Sequence, residues 1–121
     1  MGDFRKLIAW QKAHALSVAI HKAFRGRGSS EFTGLRGQII RAAGSTADNL
    51  VEGCSRRSQA EFERYADHAH SSSKEVEGQL LKARDVGAIP PSTYSDLSAA
   101  ADEVSRLCWS LSGRKKRPPD A

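Results

Sequence analysis

His14, His21, His68 and His70 are the side chains of this chain best suited to proton transfer or metal ligation, so their spacing is the first test for chemistry. His14 and His21 share a helical stripe, but seven residues of helix separate them by about 10.5 Å. Histidine–zinc bonds are about 2.0–2.1 Å, so the two cannot clasp one ion, and they read as core or interface side chains. His68 and His70 stand two apart and point to different sides of a helix, so they do not chelate together either. Cys54 and Cys108 are far apart and lack a CxxC pattern, which points to small core residues rather than a zinc site or a disulfide. The string "SSSK" (Ser71–Lys74) has the letters of a serine acyl-enzyme motif without its companion motifs. "GRGSSE" lacks the third glycine and the preceding strand of a dinucleotide fingerprint, and no P-loop occurs. The expectation is a non-enzymatic protein with no catalytic residue, no metal and no cofactor.

The elements that would position any site are helices. The four prolines all fall at or after Pro90, and no strand-type alternation of Val, Ile and Thr is present. A first helix is expected over Phe4–Phe24, with Leu7, Trp10, His14, Val18 and His21 on its inner stripe and Ile8, Ala15 and Ala19 beside it. "RGRGSS" (Arg25–Ser30) breaks it. A second helix, about Glu31–Arg57, carries two apolar series. Leu35, Ile39, Ala42, Thr46, Asn49 and Gly53 form one, and Ile40, Ala43, Ala47, Leu50 and Cys54 the other. Together they cover about half the circumference, more than the roughly 100° stripe of a helix covered on one side. This predicts a second covering partner for the Ile40–Leu50 flank, and a neighbouring copy of the chain is the expected one. Asn49, a polar residue on a core stripe, with Glu52 beside it, is expected to fix register or oligomer state together with Ile40, Ala43, Ala47 and Leu50.

Ser58-Gln59-Ala60-Glu61 has the form of a capping box and should open a third helix. That helix runs to about Val86, with Phe62, Tyr65, Ala66, Ala69, Ser73, Val76, Leu80 and Ala83 facing inward and Gly87 as its stop. Glu63, Asp67, His70, Lys74 and Glu77 form a mixed-sign row expected to face solvent. "AIPPS" leads into a fourth helix with Tyr94, Leu97, Ala101, Val104, Cys108 and Leu111 in a three-four rhythm. The fold class is therefore all-α, an antiparallel up-and-down four-helix bundle over residues 1–112 that assembles as a homo-oligomer. Residues 113–121, "GRKKRPPDA", are expected to form a basic disordered tail.

With 39% apolar and 27% charged residues, no stretch approaches the roughly 20 apolar residues of a membrane span, and "MGDFRKLIAW" lacks the apolar run of a secretory signal. Residence in the cytoplasm, away from any membrane, is expected. The net charge of +5 is unevenly spread: residues 1–57 carry ten Lys/Arg against four Asp/Glu, and residues 58–112 carry five against nine. A basic half of this kind steers towards nucleic acid. The residues expected to make phosphate contacts are Lys12, Lys22, Arg25, Arg27, Arg36, Arg56 and Arg57, with "RKKR" (Arg114–Arg117) as a tether. No aromatic stacking platform accompanies them in the sequence, so RNA or DNA binding of low sequence specificity is expected. A purely protein-binding or scaffold role, with the charges serving solubility, is the alternative.

"WQKAHAL" (Trp10–Leu16), "GLRGQIIRAAGSTADNLVEGCSRRSQAEF" (Gly34–Phe62) and "SSSKEVEGQLLKARDVG" (Ser71–Gly87) resemble a bacterial family of four-helix-bundle proteins. The family is named after an open reading frame in intervening sequences of large-subunit ribosomal RNA genes, and the name records a gene's location. It includes accessory proteins of diversity-generating retroelements, which associate with a reverse transcriptase and bind nucleic acid. The resemblance implies a homopentameric ring and a reverse transcriptase as a partner. Five copies of a +5 chain would carry about +25 on one particle.

Overall fold

The computed structural model describes residues 2–25 and 32–116, and among them are four α-helices and no strand. Arg27 and the tail beyond Lys116 lie outside the described residues.

The first helix, α1, spans Ile8–Phe24 and not Phe4–Phe24. Phe4–Lys6 forms a separate 3-10 turn, because the Asp3 carboxylate accepts from the Arg5 backbone N–H at 3.0 Å and Leu7 is extended. The inner face of α1 also differs from expectation. Ala9, Ala13, Leu16, Ile20 and Phe24 are buried, whereas His14, Val18, His21, Ile8 and Ala15 are exposed. Of the stripe Leu7–Trp10–His14–Val18–His21 only the last three are exposed, while Leu7 and Trp10 are half-buried and pack against the core.

Helix α2 spans Thr33–Cys54. Its second flank is covered by its own chain: Ala43 is 0%, Ala47 7% and Leu50 0% exposed in a single copy, and Ile40 is half-buried. The inference that this flank needs a neighbouring subunit is therefore corrected. Helix α2 packs against both α1 and α3, and two intramolecular partners account for the half-circumference of apolar residues. Gly53 is a point of close approach to α3, since a Cβ there would lie 3.1 Å from the Tyr65 Cβ.

The Ser58 side chain accepts from the Glu61 backbone N–H at 3.1 Å and opens α3, Gln59–Asp85. Its end is a Schellman turn: Gly87 takes φ +77, and the Ala88 N–H reaches the Ala83 carbonyl at 2.8 Å. Pro91 starts α4, Pro91–Leu111. The expected inner faces of α3 and α4 are as read, with Tyr65, Tyr94 and Leu111 half-buried and the rest buried. Cross-helix contacts fix the register. Ser45 meets Ser72 at 3.0 Å and Gly53 meets Phe62, so α3 numbers rise as α2 numbers fall. Ser73 meets Ser105 at 2.8 Å, His70 meets Trp109, and Arg84 meets Tyr94 in the same inverse order.

Residues 114–116 correct the expectation of a free tail from Gly113. They form a further 3-10 turn, in which Arg114 pairs with Asp67 and Lys116 with Glu63 at 3.1 Å, both on α3.

Candidate nucleic-acid interface

The expected phosphate-contacting residues fall into two groups at opposite ends of α2. At one end, Arg25 closes α1 and Arg36 lies in the first turns of α2, and both line a shallow cleft of about 270 Å³ with His21, over Phe24 and Ile40. Lys22 is exposed on the same last turn of α1. Lys22, Arg25 and Arg36 enter no ion pair among the described residues. At the other end, Arg56 pairs with Glu52 at 3.1 Å, and Arg57 is exposed in the turn before α3. Twenty residues of rise along α2 place the two ends about 30 Å apart. Lys12 lies between them on α1 and is paired with Glu103 of α4 at 3.5 Å. The six of these cations that lie among the described residues are thus not one patch.

An aromatic ring does accompany the second group, unlike the sequence expectation. The Arg56 guanidinium lies 4.8 Å from the Tyr65 ring centre and that of Arg64 lies at 5.3 Å. Cation–π contact with both guanidiniums engages the ring within the chain. Tyr65 is nine positions beyond Arg56 and nearly two turns inside α3, so only the fold brings them together.

Asn49 is satisfied within its own chain. Its Nδ2 donates to the Ser45 carbonyl at 2.9 Å and to Ser45 Oγ at 3.2 Å, and Ser45 Oγ meets Ser72 of α3. This polar chain ties α2 to α3 in one register. Glu52 is exposed and accepts from Arg56 and from Ser55 Oγ, which secures the end of α2.

The row Glu63, Asp67, His70, Lys74 and Glu77 is not simply solvated. Glu77 meets the buried Ser105 of α4, Asp67 and Glu63 hold Arg114 and Lys116, and His70 lies 5.7 Å from the Trp109 ring. Hydrogen bonds from Gln59 and then Lys116 hold the Glu63 carboxyl below the usual range. Burial first, then the positive charges of Arg114 and Lys74, push the His70 imidazole below its ordinary value, against Asp67 and Glu77. Its Nδ1 is enclosed and has no hydrogen-bond partner among the described residues. Sequence reading missed this seam because its partners come from α4 and the turn after it.

His14 and His21 are exposed, so they are not core residues, and His68 is exposed with its ring edge-on to Tyr65 at 5.7 Å. No group of three or more His, Cys, Asp or Glu is placed to hold a metal among the described residues. Burial raises the Cys54 thiol and pushes Cys108 up to about 12, so Cys108 is held as an unreactive thiol. Among the described residues no helix is long and apolar enough to cross a membrane.

Comparison with known proteins places the architecture. The family model described as 23S rRNA-intervening sequence protein matches residues 5–110. A crystal structure of a protein with unknown function from the S23 ribosomal protein family of Bacteroides thetaiotaomicron VPI-5482 superposes with a TM-score of 0.77. The two are 19% identical, and the match covers 87% of this chain and 98% of that one. No curated protein matches the chain.

Proposed function

Given that this chain belongs to the 23S rRNA-intervening sequence protein family, we propose that it is a non-enzymatic, oligomeric helical bundle that binds nucleic acid, or a nucleic-acid enzyme, through its basic surface. The observation that carries this reading is the end of the bundle where Arg25 and Arg36 line one cleft beside His21, with no carboxylate paired to either arginine among the described residues. Unpaired guanidiniums around a concave surface suit phosphate oxygens, which arginine meets with two parallel N–H donors. The inverse march of partners from α2 to α3 and from α3 to α4 supports the antiparallel up-and-down arrangement.

Self-association now rests on a different surface from the flank of α2. Ile8 and Val18 are 55% and 38% exposed on α1, with the half-buried Trp10 nearby, and Leu81 on α3 and Val86 at its C-terminal cap are exposed. Lys82 and Arg84 stand among these α3 residues and Asp85 pairs with Arg84, so a contact between α1 of one copy and α3 of the next would rest on apolar surface and not on charge. A head-to-tail contact of that kind gives a ring where its rotation closes and a filament where it does not, and the family resemblance implies a ring of five. The same apolar residues also favour the second reading, a scaffold that binds only protein.

Charge reversal separates the two. The variant Arg25→Glu with Arg36→Glu, tested by gel shift on a structured RNA and on duplex DNA, is expected to lose binding while keeping the assembly state. Unchanged binding, or none by the parent protein, supports the scaffold. A reverse transcriptase, the enzyme that the resemblance implies, is the partner to test by co-purification in that case.

A further inference from the structure

Glu63 and Asp67 stand one turn apart on α3, about 6 Å of rise, and each takes one cation of the segment that follows α4. We infer that this acidic pair is a dock for the chain's own basic end, and that a nucleic-acid phosphate backbone competes with it for Arg114 and Lys116.

The dock is built, and not a chance meeting of two long side chains. Gly113 turns the chain with φ +77, a conformation that disfavours a side chain, and a Cβ there would lie 2.5 Å from Glu63 Oε1. The buried Ser112 ends α4 by donating from Oγ to the Trp109 carbonyl at 2.8 Å and accepting from the Arg114 backbone N–H at 3.2 Å. The Arg114 guanidinium, while paired with Asp67, also lies 5.5 Å from the Trp109 ring centre. Backbone turn, carboxylates and aromatic ring therefore all address the same three-residue segment.

Competition follows from the strength of these contacts. The Lys116 side chain is 75% exposed and its pair with Glu63 is screened by water and salt. A phosphate lattice offers the same cations a denser row of negative charge and releases its own counterions on contact. Lys115 is exposed and enters no ion pair among the described residues, so it can make the first encounter while its neighbours are still docked.

The dock can be read without nucleic acid, whereas the competition rests on the nucleic-acid reading above, and the experiment keeps the two apart. In full-length protein carrying Trp10→Phe, Trp109 is the remaining tryptophan. Adding Glu63→Gln and Asp67→Asn is expected to shift Trp109 emission and to speed tryptic cleavage after Lys115 and Lys116. The same pair of changes should raise affinity for a short RNA hairpin about three-fold or more, the scale of losing one half-buried and one solvent-screened ion pair. Unchanged emission and cleavage would overturn the dock. A moved dock with equal or weaker hairpin affinity would overturn the competition. If neither protein bound the hairpin, the proposed function and the competition would fail together, and emission and cleavage would still decide the dock.

Discussion

The ring of Trp10 lies flat on the ring of His14, with centres 4.8 Å apart and planes at 16°, so the half-buried indole is joined to an exposed imidazole. Phe4 meets the same indole edge-on at 4.9 Å, and both rings are half-buried, with Trp10 packed against the core. Val18, one turn further along, is the residue to change. Val18→Glu is expected to weaken self-association by about ten-fold or more, since a charge in an apolar contact must be desolvated. Unfolding free energy of the subunit should move by no more than about 0.5 kcal/mol, as for other exposed positions. Sedimentation velocity with a parallel urea titration checks both.

Leu50 behaves in the opposite way. It is fully buried inside one copy, so Leu50→Ala should destabilise the fold by about 2–5 kcal/mol through lost contact and a residual cavity. Because the cavity is intramolecular, the loss measured by urea denaturation should be the same at low and high protein concentration.

The contrast between these two residues explains what the sequence could and could not convey. Helices α3 and α4 were legible because their large residues, such as Phe62, Leu80, Leu97 and Val104, keep a single three-four rhythm that coincides with the buried face. Helix α1 was misread because its buried stripe begins with Ala9 and Ala13, while the bulkier Trp10 and Val18 sit elsewhere. The two buried flanks of α2 were read correctly as buried. Spacing alone does not say whether a covering helix belongs to the same chain. Charges at helix ends were visible, but their partners depended on which ends meet. Arg114 with Asp67 is 114 − 67 = 47 residues apart, beyond any local rule.

His70 gives the seam between α3 and α4 a pH dependence of definite sign. Its folded-state value is held below the ordinary 6.5, chiefly by burial, so the unfolded chain takes up a proton first as pH falls. Stability should be level with respect to this group above about 6.5 and decline below it. Replacing His70 by Gln should flatten that part of the curve. Urea midpoints measured from neutral pH down to the onset of carboxylate titration provide the check.

Cys108 is fully buried with its thiol pushed up to about 12, so it holds almost no thiolate near neutral pH. Iodoacetamide at mildly alkaline pH should leave Cys108 unmodified in the folded protein and label it once urea unfolds the chain. Peptide mass mapping distinguishes it from Cys54.

The central claim is electrostatic capture of nucleic acid by Lys22, Arg25 and Arg36, which enter no ion pair among the described residues, and salt tests it most directly. Affinity for a structured RNA should fall linearly on a double-logarithmic plot against salt, by about 0.7–0.9 per phosphate contacted, and the Arg25→Glu, Arg36→Glu variant should give a shallower slope. Binding that ignores ionic strength, or a slope that the variant leaves unchanged, would contradict the account.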